Sequence, residues 1–341
     1  MRKGKIALSI LCLVFGFLSC NKDDGGNNIP EIVLEDRTEQ QAKDKDSIVN
    51  YLNEHYYNAS AFVNNPDPSI KDLIITTITD EVISSDADSL LMNAVELKKI
   101  TFAEAEYEFY ILNLNPSATG DAPNFSDEVL VNYEGFTLDN QVFDSAVTPV
   151  NFDLTSLVPG WRKAMPFFNS AEFGSFVIQG DGTVDYMNHG VGVMFLPSGL
   201  AYFNNSVTGI PSYTSIAFKF DLIQTSITDH DNDGVPSYLE DVDGDGELFN
   251  DNTDGDFNPN TRSALSNYLD NDDDGDGVLT KDEIVIKTYN KPTKAEIEAI
   301  DLASNEEIIS IVEEQDGTFT GTTITFTDTD GDGTPDYLDA E

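Results

Sequence analysis

The central part of this 341-residue sequence predicts an α+β fold: a mostly antiparallel β-sheet wrapped around one short helix, with a partly helical N-terminal region before it and an acidic C-terminal region after it. Three observations carry that reading. "SIAFKFDLI" alternates Ile216, Phe218, Phe220 and Leu222 with Ala217, Lys219 and Asp221, the period of two expected of a half-buried strand. Further strand-length runs follow the same texture from about Thr101 onward: "EYEFYILNL", "VLVNYEGF", "GSFVIQG" and "VGVMFL". One short helix, starting near Gly160 and carrying "WRKAMPFF", can be placed among them.

Ahead of this region, residues 39–57 place Ala42, Ile48, Tyr51, Leu52 and Tyr56 at helical spacings and predict an amphipathic helix within a 39–98 region of no assigned function. Earlier still, Arg2, Lys3 and Lys5 precede an apolar run from Ile6 to Leu18 that stops at Ser19 and Cys20. That pattern reads as a secretory signal over 1–19. Its "FLSC" ending resembles a bacterial lipobox, which implies that Cys20 becomes the acylated first residue and anchors the chain to a membrane. Cys12 leaves with the signal, so no internal disulfide is available in an exported chain. Residues 20–38 read as a flexible tether. The acidic residues after Cys20 resemble an outer-membrane export signal, which implies an outer-membrane lipoprotein exposed at the cell surface.

The formal net charge of −44 argues against nucleic acid and anionic lipid surfaces as partners and for cation binding or solubility. It is concentrated. Between Asp229 and Glu283 there are 18 carboxylates against two basic residues, Arg262 and Lys281. At 23% charged and 40% hydrophobic, the chain as a whole has a globular composition.

Three motifs occur in order: "VNYEGFTLDNQVFDS", then "LVPGWRKAM" with the sole tryptophan, then "LAYFNNSVTGIPSYTSIAFKFDL". Their order and spacing resemble the FKBP-type peptidyl-prolyl isomerase domain, over roughly 99–226. The resemblance implies catalysis of cis/trans exchange at X–Pro bonds of polypeptides outside the cytoplasm. The rotational barrier is about 18–20 kcal/mol because rotation breaks amide resonance. Catalysis needs tighter binding of the twisted amide than of either planar form. By position, the resemblance implies catalytic roles for Tyr133, Phe143, Asp144, Trp161, Tyr202 and Phe218, and substrate binding by Leu157, Val158 and Ile210. Trp161 would floor a proline pocket walled by Phe143, Phe218 and Tyr133. The Val158 amide and the Tyr202 hydroxyl would serve the substrate carbonyls, and Asp144 would polarise the site without acting as acid or base. Phe152 and Phe220 read as core.

The sequence also departs from the family pattern. Phe143–Pro149 is short and lacks an arginine, Val150 replaces an aromatic wall residue, Phe203 stands where glycine is typical, and Ser212 replaces a proline. An insertion at 179–190 enlarges a hairpin expected beside the site. These departures imply weaker activity or a narrower substrate range, or a non-catalytic module that grips proline-containing segments.

Four segments then share Asp at positions 1, 3 and 5 and Gly at 6: 229–240, 241–252, 272–283 and 328–339. That spacing suits a Ca²⁺ loop, in which hard oxygens at alternate positions surround the ion and glycine permits the turn. The candidate ligands are Asp229, Asp231, Asp233 and Glu240; Asp241, Asp243 and Asp245; Asp272, Asp274, Asp276 and Glu283; and Asp328, Asp330, Asp332 and Asp339. Proline in "VPSYL" and "TPDYL" rules out long exiting helices, so the repeats resemble thrombospondin type 3 repeats rather than paired sensor EF-hands. Ca²⁺ would then be structural, and the isomerase chemistry needs no cofactor. Acidic repeats are expected over 227–283. Over 284–341 the expectation is a helix-containing segment, with Thr293 as N-cap and Glu296 at N3, ending in the last repeat.

Overall fold

The computed structural model describes residues 34–78, 89–172, 174–254 and 265–340. The signal, Cys20 and most of the tether lie outside them. No described helix is long and apolar enough to cross a membrane.

Helix α1 (Arg37–Glu54) starts where Asp36 accepts hydrogen bonds from the Thr38 and Glu39 amides, at 2.9 and 3.0 Å. It ends earlier than residue 57. His55–Tyr57 form strand β1, because pairing with β2 (Ile75–Thr77) and β3 (Ser89–Leu90) takes up their backbone groups. Ala42 is exposed, and the buried face of α1 includes Gln40, Gln41 and Asp44 along with Ile48, Tyr51 and Leu52. Asp44 is held inside by the Ser198 amide (2.8 Å), the Ser198 hydroxyl (2.6 Å) and Gln40 (2.7 Å). A one-turn helix α2 (Leu91–Ala94) leads to the main sheet.

The sheet comprises β4 (Glu96–Phe102), β5 (Ala105–Asn113), β6 (Glu128–Thr137) and β7 (Val142–Asp153), joined later in the chain by β10 (Gly190–Leu196) and β11 (Ile216–Ser226). Its order is β4-β5-β10-β11-β6-β7, antiparallel throughout. It begins at Glu96, ahead of residue 99. Side chains alternate between two cores. Ile111, Tyr133, Met194, Phe218 and Phe220 face one core with helix α3 (Pro159–Ala164). Tyr110, Leu112, Val193, Phe195 and Ala217 face the other, covered by Ile48, Tyr51 and Leu52 of α1. The region before residue 98, without an assigned function in the sequence, packs Ile48, Leu52, Ile70, Leu73 and Leu91 against the second face of the sheet. "GSFVIQG" does form a strand, β8 (Phe176–Ile178), but it pairs only with β9 (Val184–Tyr186) as a separate hairpin. Its strand residues lack the burial of the main sheet.

Beyond Ser226, the described residues of the acidic region carry the 3₁₀ turns Ser237–Leu239, Leu248–Asn250, Asn267–Leu269 and Asp336–Leu338 and the short helix α4 (Thr280–Glu283). Residues 284–341 are mainly strand rather than helix: β12 (Ile284–Lys291), β13 (Glu306–Glu313) and β14 (Phe319–Phe326) pair in the order β12-β14-β13. Helix α5 (Lys294–Glu298) is five residues long, although Thr293 caps it by accepting from the Glu296 amide at 3.3 Å. Apolar spacing in "EEIISIVEE" suits either period over so short a window, and pairing with β14 decides for the strand.

Candidate functional site

Tyr133 on β6, Asp144 and Phe152 on β7, Leu157 and Val158 before α3, Trp161 on α3, Tyr202 after a 3₁₀ turn and Phe218 on β11 line one small cavity of about 70 Å³. Pro159 opens α3 at its first position, where its missing amide hydrogen costs nothing. Gly160 is the second residue of the helix. A Cβ there would stand 2.3 Å from Leu196 Cδ1, so glycine lets α3 press onto β10 and brings the indole against the sheet.

Trp161 is 2% exposed, so it is at once a core residue and the floor of the cavity. Its ring centroid lies 5.1 Å from Phe218, 5.8 Å from Phe152 and 5.9 Å from Tyr133, the last two edge-on. Tyr133 donates a 2.6 Å hydrogen bond to Asp144 Oδ2, and the Ser145 amide donates to Oδ1 at 2.9 Å. Asp144 is therefore a fixed carboxylate at an exposed position on the rim. Burial first, then the bond to Asp144, pushes the Tyr133 phenol well above its ordinary range. Burial and the Asp144 charge also push Tyr202 up, so both phenols keep their protons at neutral pH. Among the described residues, neither the Tyr202 hydroxyl nor the Val158 amide donates a hydrogen bond. Those two donors remain available to a ligand carbonyl.

Two of the expected pocket residues stand elsewhere. Phe143 does not line the cavity; its ring crosses Gly135 and packs edge-on against Phe218 at 5.5 Å, supporting that wall from behind. Ile210 is 2% exposed within the core. Phe152, read as core from the sequence, is a wall and supplies the aromatic surface that Val150 lacks. Its signal was present: it lies two residues after Val150 on the same strand, hence on the same face. Phe220 is core. Phe203 has a φ of +48°, which is why glycine is favoured there, and its ring turns to the Arg37 guanidinium at 4.2 Å and to Tyr213. It does not line the cavity. The 179–190 hairpin contributes none of the lining residues either.

The acidic loops bring carboxylates together in four groups with ligand atoms within 4.8 Å: Asp231, Asp233, Glu240 and Asp273; Asp241, Asp243 and Asp251; Asp272, Asp274 and Asp276; Asp328, Asp330 and Asp332. Oxygens so spaced can surround a cation at 2.3–2.6 Å. The position-6 glycines, Gly234, Gly246, Gly277 and Gly333, all have positive φ. Asp229 is outside its group, and its two oxygens accept from the Asn232 and Gly234 amides. Asp245, Glu283 and Asp339 are also outside, and Asp273 and Asp251 replace expected ligands. Burial and repulsion from neighbouring carboxylates push Glu240 up to about 10, Asp273 to about 9 and Glu283 to about 7.

The acidic region docks beside the pocket. Arg162, next to Trp161, pairs with Glu247, and Lys163 Nζ donates to the Asp245 and Gly246 carbonyls at 2.9 and 3.0 Å.

Residues 120–223 match the family model described as FKBP-type peptidyl-prolyl cis-trans isomerase. This segment is similar to an FKBP-type domain. It is 30% identical over 107 residues to "FKBP-type peptidyl-prolyl cis-trans isomerase FkpA" of Escherichia coli K12, covering 30% of this chain and 33% of that one. To "Outer membrane protein MIP" of Legionella longbeachae the identity is 31% over 111 residues, covering 31% and 40%. The chain therefore spans about a third of the length of these relatives. The crystal structure of Escherichia coli FkpA aligns with a TM-score of 0.29 and 24% identity, covering 39% of this chain and 52% of that one. A second family model, described as BamM C-terminal, matches residues 230–310, which hold three of the four acidic loops.

Proposed function

We propose that the FKBP-type domain is an active peptidyl-prolyl cis-trans isomerase acting on proteins outside the cytoplasm, held at the outer membrane through Cys20, with Ca²⁺ ordering the C-terminal loops. The supporting observation is the convergence of Tyr133, Asp144, Phe152, Trp161, Tyr202 and Phe218 on one aromatic cavity that carries two unspent donors. The proline ring sits on the Trp161 indole between Phe152, Phe218 and Tyr133. As the amide twists it loses resonance and becomes less dependent on water, so a dry aromatic wall favours it over the planar forms. The Val158 amide and the Tyr202 hydroxyl steady the carbonyls. Asp144, fixed by Tyr133, biases the field over the twisting bond and transfers no proton. A thousandfold acceleration asks about 4 kcal/mol of this arrangement.

The loop carboxylates fit a hard cation, with oxygen ligands only and flexible geometry, which suits Ca²⁺ better than Mg²⁺. The match of an outer-membrane protein among the relatives supports the envelope location.

The test is an isomerisation assay on a proline-containing peptide. The wild type is expected to turn it over, with Asp144→Ala and Trp161→Ala each reducing kcat/KM at least tenfold; no turnover by the wild type overturns the reading. The small cavity, about 70 Å³, favours the second reading, a module that grips proline-containing segments without isomerising them.

A further inference from the structure

We propose that Asp231, Asp233 and Glu240 of the first acidic loop and Asp273 of the third form one shared Ca²⁺ site that clamps the two loops together. This rests on the calcium reading of the loops and deepens it. A loop of this spacing ligates through positions 1, 3, 5 and 12 of its own sequence. Asp273 occupies position 2 of its loop, where the other three loops carry His230, Val242 and Thr329. A position-2 side chain does not serve its own ion, and here it meets the ligands of another loop roughly forty residues earlier.

Burial separates this group from ordinary acidic surface. Glu240 is 0% exposed, and Asp233 and Asp273 are each 2% exposed. Both oxygens of Glu240, both of Asp273, and one each of Asp231 and Asp233 have no hydrogen-bond partner among the described residues. Among the described residues, no lysine, arginine or histidine is paired with any of the four. Buried carboxylates left without partners are strongly destabilising, so a cation is the partner that this geometry calls for. Six unspent oxygens match the six to eight that Ca²⁺ takes. Nitrogen and sulfur ligands are absent from the group, which disfavours Zn²⁺.

The clamp also answers a packing deficit. The apolar core of the C-terminal region has four buried members, Val235, Ile284, Ile324 and Tyr337. Val235 follows the first loop ligands directly, its amide donating to Asp233 Oδ1 at 2.8 Å, and Ile284 follows the third loop. The same two loops thus meet at the core and at the ion. Metal binding is then folding free energy for this region.

The experiment uses the full chain in detergent, stripped with a chelator, then titrated with Ca²⁺ by calorimetry and with Tb³⁺ by luminescence sensitised through Tyr337, whose 4% exposed ring packs in that core. Asp273→Asn should lose one ion in both titrations and lower the gain in thermal midpoint on adding Ca²⁺. In the chelated protein the same variant should raise the thermal midpoint, because it removes one of four crowded buried carboxyls that have no cation to share. Glu240→Gln should behave alike, and the double variant should lose no second ion. If the wild type binds no Ca²⁺, the calcium reading and the shared site both fall. If the wild type binds and Asp273→Asn keeps every ion at unchanged affinity while Asp231→Asn loses one, the shared site alone is overturned.

Discussion

Tyr133, Asp144 and Trp161 each bring to the cavity chemistry that a plain core does not need. A carboxylate in the middle of aromatic strands asks for a partner, and Tyr133 supplies it at 2.6 Å. Phe152 and Ile210 were misplaced for the opposite reason. Both are apolar, and nothing in an apolar side chain says whether it faces a cavity or packed neighbours. Their variants should separate cleanly. Phe152→Ala, at a half-buried wall, should raise KM for a proline peptide about tenfold and cost about 2–3 kcal/mol of stability. Ile210→Val should cost about 1 kcal/mol and leave KM unchanged. Peptide kinetics beside denaturant unfolding check both, and a KM change in Ile210→Val would return that residue to the pocket.

The main strands were legible through their period of two, and the helix behind Pro159 through its sequence. What escaped was pairing. The β12-β14-β13 sheet and the detachment of the β8–β9 hairpin depend on partners far along the chain, which periodicity does not reveal. One such long-range tie joins β10, β11 and the turn at Ser69–Asp72. Asp221, 1% exposed on β11, accepts from the Ile70 amide at 2.8 Å and the Ser69 hydroxyl at 3.0 Å and faces His189 Nε2 at 3.4 Å. Burial lowers the His189 pKa, but the bond and charge of Asp221 outweigh it, with Asp67 adding a smaller push, and the net shift is upward from 6.5. A histidine whose folded pKa exceeds its unfolded value contributes stability that is complete below about pH 6.5 and is lost as pH rises through the folded pKa. In saturating Ca²⁺, the wild-type denaturation midpoint should therefore fall between pH 6 and pH 8 relative to His189→Gln. A constant difference across that range would remove the pair as a source of pH dependence.

Two modules that the sequence presented as consecutive are joined in the fold. Arg162 and Lys163 follow the pocket floor directly, and both reach the second acidic loop through Glu247, Asp245 and Gly246. The chain's −44 charge had indicated cation binding or solubility, but not that the acidic region would meet α3. The signal and anchor expected at 1–20 lie outside the described residues. The proposal that the Trp161 cavity catalyses, rather than holds, is open to a direct readout: exchange NMR on a proline-containing peptide with a catalytic amount of the full chain. Cis and trans resonances should exchange within about a second, against the tens to hundreds of seconds of the uncatalysed bond, and Asp144→Ala should slow that exchange at least tenfold. Peptide resonances that shift on binding while cis/trans exchange stays at the uncatalysed rate would contradict it.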